Sequence, residues 1–342
     1  MSEQSAYAQA GVDIAAAQRA TDLMKTAVQA TFGPEVLSNV GNFGGLFDAS
    51  GLQQLEQPVL VASTDGVGTK TKVAAALNQW DTIGYDIVNH CLNDILVQGA
   101  RPLFFLDYVA TARLDAAQIA QIVTGVANAC RAAGCALLGG ETAEMPGVYE
   151  PNAVDLVGTI VGVVERKRLI DGQRIQPGDL ILGLPSTGLH TNGYTLARRV
   201  LADLDWHEPR PELGGQTIGQ ALLTPHRPYL AEVEALGQAG VDIRGLAHIT
   251  GGGLVDNPPR ILPQGVTAVL HPERWSRPAI FNLIQQVGDI DLAEMFHVFN
   301  MGLGMLVIIP PDQLLQAQKL LGDDGQLVGE IVSGNGVVVI ER

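Results

Sequence analysis

Positive charge is scarce in this chain: its 342 residues carry 21 Lys plus Arg against 36 Asp plus Glu, a formal charge of −15, and only five of the cations are lysine. Such a surface repels phosphate backbones and anionic lipid, which excludes nucleic acid and a membrane surface as default partners. Long apolar runs are missing as well, and nothing approaches the ~18 to 20 residues of a membrane helix. Cysteine is limited to Cys91, Cys130 and Cys135, with no C-x-x-C pair and no even set, which fits a reducing compartment. The Met1–Gly11 stretch is polar without a basic-then-apolar leader pattern, and no targeting tail ends the chain, so the expected location is the cytoplasm.

Hydrophobic residues make up 46% and charged ones 17%, which excludes a disordered chain. A chain above the ~250–300 residues at which single cores usually divide predicts two domains. Forty glycines exceed the typical ~7% without collagen periodicity, so they belong in loops of unusual backbone angle or close ligand approach.

Hydrophobic spacing predicts an opening helix over Asp13–Phe32 with Asp13 as N-cap, a glycine-rich loop through Gly33–Gly51, and a strand over Pro58–Ser63. Helices over Asp81–Gln98 and Asp115–Ala133 alternate with strands over Pro102–Ala110, Ala136–Leu138 and Asp155–Val164. That order predicts an α/β (α+β) first domain over residues 1–168. Its boundary carries Arg166-Lys167-Arg168, readable as a phosphate patch or as a solvated junction; the surrounding turn residues favour the junction. The second domain, residues 169–342, is expected to be a sheet flanked by helices, with strands over Asp179–Leu184, Ala247–Thr250, Thr267–His271 and Met305–Ile309 and two more at the end. Its helices are expected over Thr191–Leu204, Pro225–Gln238, Pro278–Val287 and Asp312–Leu321.

Ser63–Lys70 (S-T-D-G-V-G-T-K) places Asp65, Gly66, Gly68, Thr69 and Lys70 together after a strand. Glycine lets backbone N–H groups approach phosphate, lysine neutralises it, and aspartate holds Mg²⁺. The segment is neither a P-loop nor a dinucleotide fingerprint. Lys70 and Lys72 are the sole Lys or Arg residues between Lys25 and Arg101, so an isolated positive pair beside flexible backbone reads as an anion site rather than a plain turn. The helix over Asp81–Gln98 carries Asp86, His90 and Asp94 at i, i+4 and i+8, with Asn89 and Asn93 beside them: a solvated stripe, or oxygen ligands for Mg²⁺. Glu141, after Gly139-Gly140, reads as a metal or substrate ligand or as a helix-capping acid.

Leu184–Gly193 ends in His190, Thr191, Asn192 and Gly193 at an expected helix start, where N–H groups favour anions and His190 is available for proton transfer. His248–Gly253 (H-I-T-G-G-G) repeats the recipe ahead of Leu254 and Asn257. A glycine-broken strand explains Phe299–Met305. No nucleophilic Ser or Cys triad is present, and the cysteines read as buried thiols.

Six ordered segments, D-G-V-G-T-K at Asp65–Lys70, N-D-I-L-V-Q-G-A at Asn93–Ala100, P-L-F-F-L-D-Y at Pro102–Tyr108, G-G-E-T-A-E-M-P-G at Gly139–Gly147, H-T-N-G at His190–Gly193 and H-I-T-G-G-G at His248–Gly253, closely resemble the phosphoribosylformylglycinamidine cyclo-ligases, the aminoimidazole ribonucleotide synthetases of purine biosynthesis. The resemblance runs from Ala10–Asp13 to the closing strands. It implies a homodimer whose N-terminal domains pool strands into a helix-ringed β-barrel, each with a C-terminal α/β domain and an ATP site in the cleft between the domains. It also implies ring closure of formylglycinamidine ribonucleotide to 5-aminoimidazole ribonucleotide with ATP and Mg²⁺. Carried onto this sequence, Asp65, Asp94 and Glu141 hold the metal, and Lys70, Gly66, Gly68 and Thr69 meet phosphates. Asn93, Asp107, Thr191, Gly251, Gly252 and Gly253 complete the nucleotide and phosphate contacts, and His190, Asn192, His248 and Lys70 serve the chemistry. Asn89-His90 departs from the family's small or apolar residues, and Gly41–Gly45 resembles its glycine flap with poorer neighbours. Relatives that share the Asp-Gly loop include thiamine-phosphate kinase, selenophosphate synthetase and a hydrogenase-maturation dehydratase; the last two need a terminal reactive Cys that this chain lacks, and the H-T-N-G segment disfavours the kinase.

Overall fold

The computed structural model describes residues 14–341. Asp13, the expected N-cap, and the Ala10–Asp13 segment lie outside them. The chain forms two compact units, one comprising residues up to Ile95 with Arg101–Arg166, the other Leu96–Ala100 with Lys167 onward. No helix among the described residues is long and apolar enough to cross a membrane.

The first unit contains α1 (Ile14–Gln29), β1 (Pro58–Gly66), α2 (Lys70–Leu77), α3 (Asp81–Leu96), β2 (Arg101–Thr111), α4 (Ala116–Ala132), β3 (Ala136–Glu144) and β4 (Val154–Glu165). Its sheet runs β1-β4-β2-β3, antiparallel except for β2 against β3. Asp115 caps α4 by accepting from the amides of Ala117 and Gln118, and its apolar face buries Ile119, Ile122 and Val126. Helices α3 and α4 meet backbone to backbone. A Cβ on Gly84 would lie 2.4 Å from the Ile122 carbonyl, and one on Gly125 would lie 2.1 Å from the Asp81 carbonyl, so glycine permits the crossing.

The expected end of β3 at Leu138 is corrected. Gly139 and Gly140 continue the strand, paired with Leu106 and Asp107 of β2, because a Cβ on Gly140 would collide with the Asp107 carboxylate at 2.1 Å. The α2 helix was not anticipated. Arg166–Arg168 forms one exposed 3₁₀ turn, as a solvated junction requires.

The second unit contains β5 (Leu180–Pro185), α5 (Tyr194–Val200), α6 (Ile218–Leu223), α7 (Leu230–Gln238), β6 (Gly245–His248), α8 (Gly253–Asp256), β7 (Val266–Leu270), α9 (Ala279–Gly288), α10 (Leu292–Val298), β8 (Leu303–Ile309), α11 (Leu314–Leu321), β9 (Gln326–Ser333) and β10 (Val338–Ile340). The six-stranded sheet runs β10-β7-β9-β5-β8-β6, with only β10 and β7 parallel. Leu182, Leu184, Tyr229, Leu236, Met305 and Val307 form its core. Two expected helices are shorter than the periodicity suggested. His190 and Gly193 sit at φ +62° and +80°, which delays α5 to Tyr194, and Pro228 holds Arg227 out of helical geometry, which delays α7 to Leu230.

Candidate active site

In the first unit, β1 delivers Asp65 beside α3. Asp65 Oδ2 lies 3.0 Å from His90 Nε2, Asp94 Oδ2 lies 3.7 Å from the same nitrogen, and Ser63 donates to Asp94 at 2.9 Å. The hydrogen bond with His90 holds the Asp65 carboxyl below its ordinary range against the cost of burial, helped by the Gly66 amide at 2.6 Å. Burial opposes charge on His90, but the bond to Asp65 and the fields of Asp94, Asp65 and Asp86 outweigh it and raise its pKa.

The polar stripe of α3 is not the solvated face that its pattern allowed: Asp86, Asn89, His90 and Asn93 are all buried. Lys70, expected at phosphate, is paired with a carboxylate of α3. Its ammonium is fully buried 2.8 Å from an equally buried Asp86, and desolvation lowers its pKa while Asp86 pushes back. Lys72, the other half of the isolated positive pair, is exposed and meets Glu150 at 3.1 Å. Above Gly68, at φ +66°, the space that a side chain would fill is open, and Thr69 occupies the N-cap position of α2.

Asp65, Gly158, Asp107 and Gly140 form one register row across the sheet. Burial pushes the Asp107 carboxyl up to about 7. Glu141 stands one residue past that row on β3, exposed, so strand alternation turns it to the other face, roughly 14 Å from β1 at ordinary strand spacing. The structure thus gathers Asp65, His90 and Asp94, and Glu141 is apart from them.

In the second unit, the loop after β5 presents His190 and Thr191, both buried, with the Thr187 amide donating to His190 Nε2 at 3.2 Å. His226, which no pattern in the sequence marked, stacks on His190 with ring centroids 4.0 Å apart and places its Nε2 3.0 Å from His248 Nε2. Thr191 Oγ1 lies 3.3 Å from His226 Nδ1. Asn192 borders the glycine turn, since a Cβ on Gly251 would lie 3.3 Å from its Oδ1. The turn is built by Asn257, whose amide nitrogen donates to the carbonyls of Thr250, Gly251 and Gly253. Gly252 and Gly253 take φ +94° and +57°. The expected helix start there is a single turn, α8, so its dipole is small and exposed amides, not a helix end, are what it offers an anion.

Cys91, Cys130 and Cys135 are free and buried, and burial raises the Cys91 and Cys130 thiols well above their ordinary range.

Residues 48–164 match the family model "AIR synthase related protein, N-terminal domain", and residues 176–342 match its C-terminal counterpart. The chain is 50% identical over 339 residues to the phosphoribosylformylglycinamidine cyclo-ligase of Anaeromyxobacter sp. (strain Fw109-5), covering 98% of each. It is 47% identical to that of Alkaliphilus metalliredigens (strain QYMF), covering 98% of this chain and 97% of that one. Two solved structures share the fold. They are hydrogenase maturation protein HypE in complex with ATP (20% identity, TM-score 0.65, 95% and 91% coverage) and thiamine-monophosphate kinase from Stenotrophomonas maltophilia K279a (18%, 0.67, 93% and 96%). Matching both family models in order and sharing half its residues with full-length relatives, the chain belongs to the AIR synthase related family, as a member of its phosphoribosylformylglycinamidine cyclo-ligase branch.

Proposed function

We propose that this chain is an ATP-dependent ligase that closes formylglycinamidine ribonucleotide to 5-aminoimidazole ribonucleotide, releasing ADP and phosphate, in purine biosynthesis. Family membership supports the reaction. The geometric observation that carries the reading is the Asp65–His90–Asp94 cluster, in which one carboxylate is held ionised beside open glycine backbone.

The amide oxygen of the substrate is a poor leaving group. Transfer of the γ-phosphoryl to it makes an iminophosphate whose carbon the amidine nitrogen attacks, and phosphate departs as the ring closes. Such transfer depends on position and on neutralised charge at the phosphoryl oxygens. Mg²⁺ supplies that neutralisation when bound, and the donor set fits it, since Asp65 and Asp94 offer the hard oxygens it prefers while His90 is already engaged by both. We assign the amides of Gly66 and Gly68 and the Thr69 hydroxyl to phosphate contacts. Lys70 is reassigned as the buried anchor of that loop through Asp86. We assign Asn93 and Asp107 as supporting polar groups for the nucleotide, and Glu141 would take a metal or a substrate hydrogen-bond donor on the sheet's other face.

In the second unit we assign His190 and Asn192 to the phosphoryl or formyl amide, and His248 with Thr191 and Gly251–Gly253 to phosphate binding and proton transfer. The open face of the β1-β4-β2-β3 sheet, with Leu60 at 61% and Leu106 at 37% exposure, supports a homodimer in which a second copy covers it. Dependence on ATP agrees with a cytoplasmic setting.

The test is incubation with Mg²⁺-ATP and formylglycinamidine ribonucleotide, following ADP and the aminoimidazole product. Substrate-dependent ADP in step with product is expected. Its absence, with turnover of thiamine phosphate instead, would overturn the reading.

A further inference from the structure

We propose that His226 is a positioning residue for His248, fixing which ring nitrogen of His248 carries the proton and so presenting His248 to the reacting group as a hydrogen-bond donor. The inference rests on the reading of His248 as part of the substrate site.

The two Nε2 atoms lie 3.0 Å apart, both residues buried. At that distance they hold one proton between them, because two bare nitrogens repel and two N–H groups clash. The direction is set upstream. Asn192 Nδ2 donates to Thr191 Oγ1 at 3.5 Å, and the proposed chain runs on from the Thr191 hydroxyl to His226 Nδ1, 3.3 Å away. With Nδ1 accepting, neutral His226 carries its own proton on Nε2 and donates it to His248 Nε2. Neutral His248 then keeps its single proton on Nδ1. Asn192, Thr191, His226 and His248 thus form a chain in which each group donates to the next, and no proton is gained or lost. Buried chains of this kind polarise and strengthen one another.

The surroundings hold the relay in register. His190 stacks on the His226 ring at 4.0 Å and 23°. Thr187 Oγ1 donates to the Pro225 carbonyl at 2.6 Å, and Arg227 is fastened to both Glu232 and Asp324. The segment that carries His226 is therefore clamped on both sides.

The experiment uses the full chain, steady-state kinetics of ring closure and ¹⁵N NMR of histidine-labelled protein. His226→Gln keeps an amide N–H where the imidazole donated, whereas His226→Phe keeps the stacked ring and removes the donor. We expect His226→Phe to lower kcat at least ~10-fold with KM within ~3-fold, the size of effect that orienting partners have on the groups they hold, and His226→Gln to stay within ~3-fold of the parent. The NMR spectrum should show His248 protonated on Nδ1 and bare on Nε2 in the parent, a signature absent from the Phe variant. If His226→Phe does not fold, Thr191→Val removes the donor to Nδ1 and should give the same loss of kcat. Parental kcat in the Phe variant, equal impairment of Phe and Gln, or a His248 Nε2–H signal would each overturn the proposal. So would stoichiometric zinc that copurifies with the parent and is lost from His226→Gln, since the pair would then be a chelate. A parent that does not close the ring at all sinks the functional reading instead, and the NMR signature still decides the relay on its own.

Discussion

His90 Nε2 sits 3.0 Å from Asp65 Oδ2 and 3.7 Å from Asp94 Oδ2, so one buried imidazole stands between two carboxylates from different elements. The arrangement ties α3 to the end of β1 by charge, and the two partners titrate in opposite directions. Folded His90 titrates above its ordinary value of 6.5, so its contribution to stability is complete below that pH and is lost as pH rises through the folded pKa. Folded Asp65 titrates below 3.8, so its share is present above that value and is lost as pH falls. The pair is therefore most effective in weakly acidic solution.

Asp65→Asn should lower the His90 pKa, because it removes the charge that strengthens the hydrogen bond offsetting burial. An NMR titration of the His90 ring checks this, and an unchanged pKa would show that Asp94 and Asp86 suffice. Since the Asp65 side chain is 47% exposed, the stability cost should stay within about 1 kcal/mol, while ring closure falls ~100-fold or more if Asp65 holds the metal.

The buried pair of Lys70 and Asp86 makes the opposite forecast. Removing one charge strands the other without water, so Lys70→Met or Asp86→Leu alone should cost roughly 3–5 kcal/mol in urea unfolding, and the double substitution should recover much of the loss. A Lys70→Met protein of parental stability with weakened ATP binding would return the ammonium to the phosphates.

These two sites also mark what can be read without coordinates. The Asp65–Lys70 segment announced itself because glycine, carboxylate and lysine after an apolar run are rare together, and α3 because Ile83, Ile87, Cys91 and Ile95 repeat at helical spacing. Whether a polar side chain faces water or the interior depends on which element covers it, and spacing along one helix carries no such information. Asp86 and Lys70 were therefore legible as residues and illegible as a buried pair. Gly139-Gly140 looked like a strand end because the role of Gly140, making room for the Asp107 carboxylate on the neighbouring strand, is a cross-strand fact. His226 was missed for the same reason: a lone histidine between two prolines carries no pattern, and its partners arrive from segments 22 and 35 residues away.

The triple glycine separates a conformational requirement from a spatial one. At Gly253, φ is +57° and an added Cβ would lie 2.2 Å from the Phe296 carbonyl, so Gly253→Ala should destabilise the protein by more than about 2 kcal/mol. Gly251 has a permissive backbone, and its nearest neighbour is the Asn192 side chain at 3.3 Å, so Gly251→Ala should melt within a few degrees of the parent, about 1 kcal/mol or less, while weakening phosphate binding. Thermal melts beside nucleotide titrations check both; equal melting temperatures for the two variants would contradict the turn geometry.

The sheet of the first unit buries one face under α3 and α4 and leaves Leu60, Ala62 and Thr64 of β1 exposed on the other, with Leu106 in register through Thr159. Apolar side chains of that size on an uncovered sheet face favour association with a like surface, and a second copy supplies one by symmetry. Light scattering of the parent should give twice the chain mass of 36.1 kDa. Leu60→Asp places a charge on that face without touching the helix side, so it should shift the protein toward single chains while its helical circular dichroism persists. A parent that runs as a single chain at micromolar concentration, or a Leu60→Asp variant that remains paired, would mean that something other than a second copy covers this face.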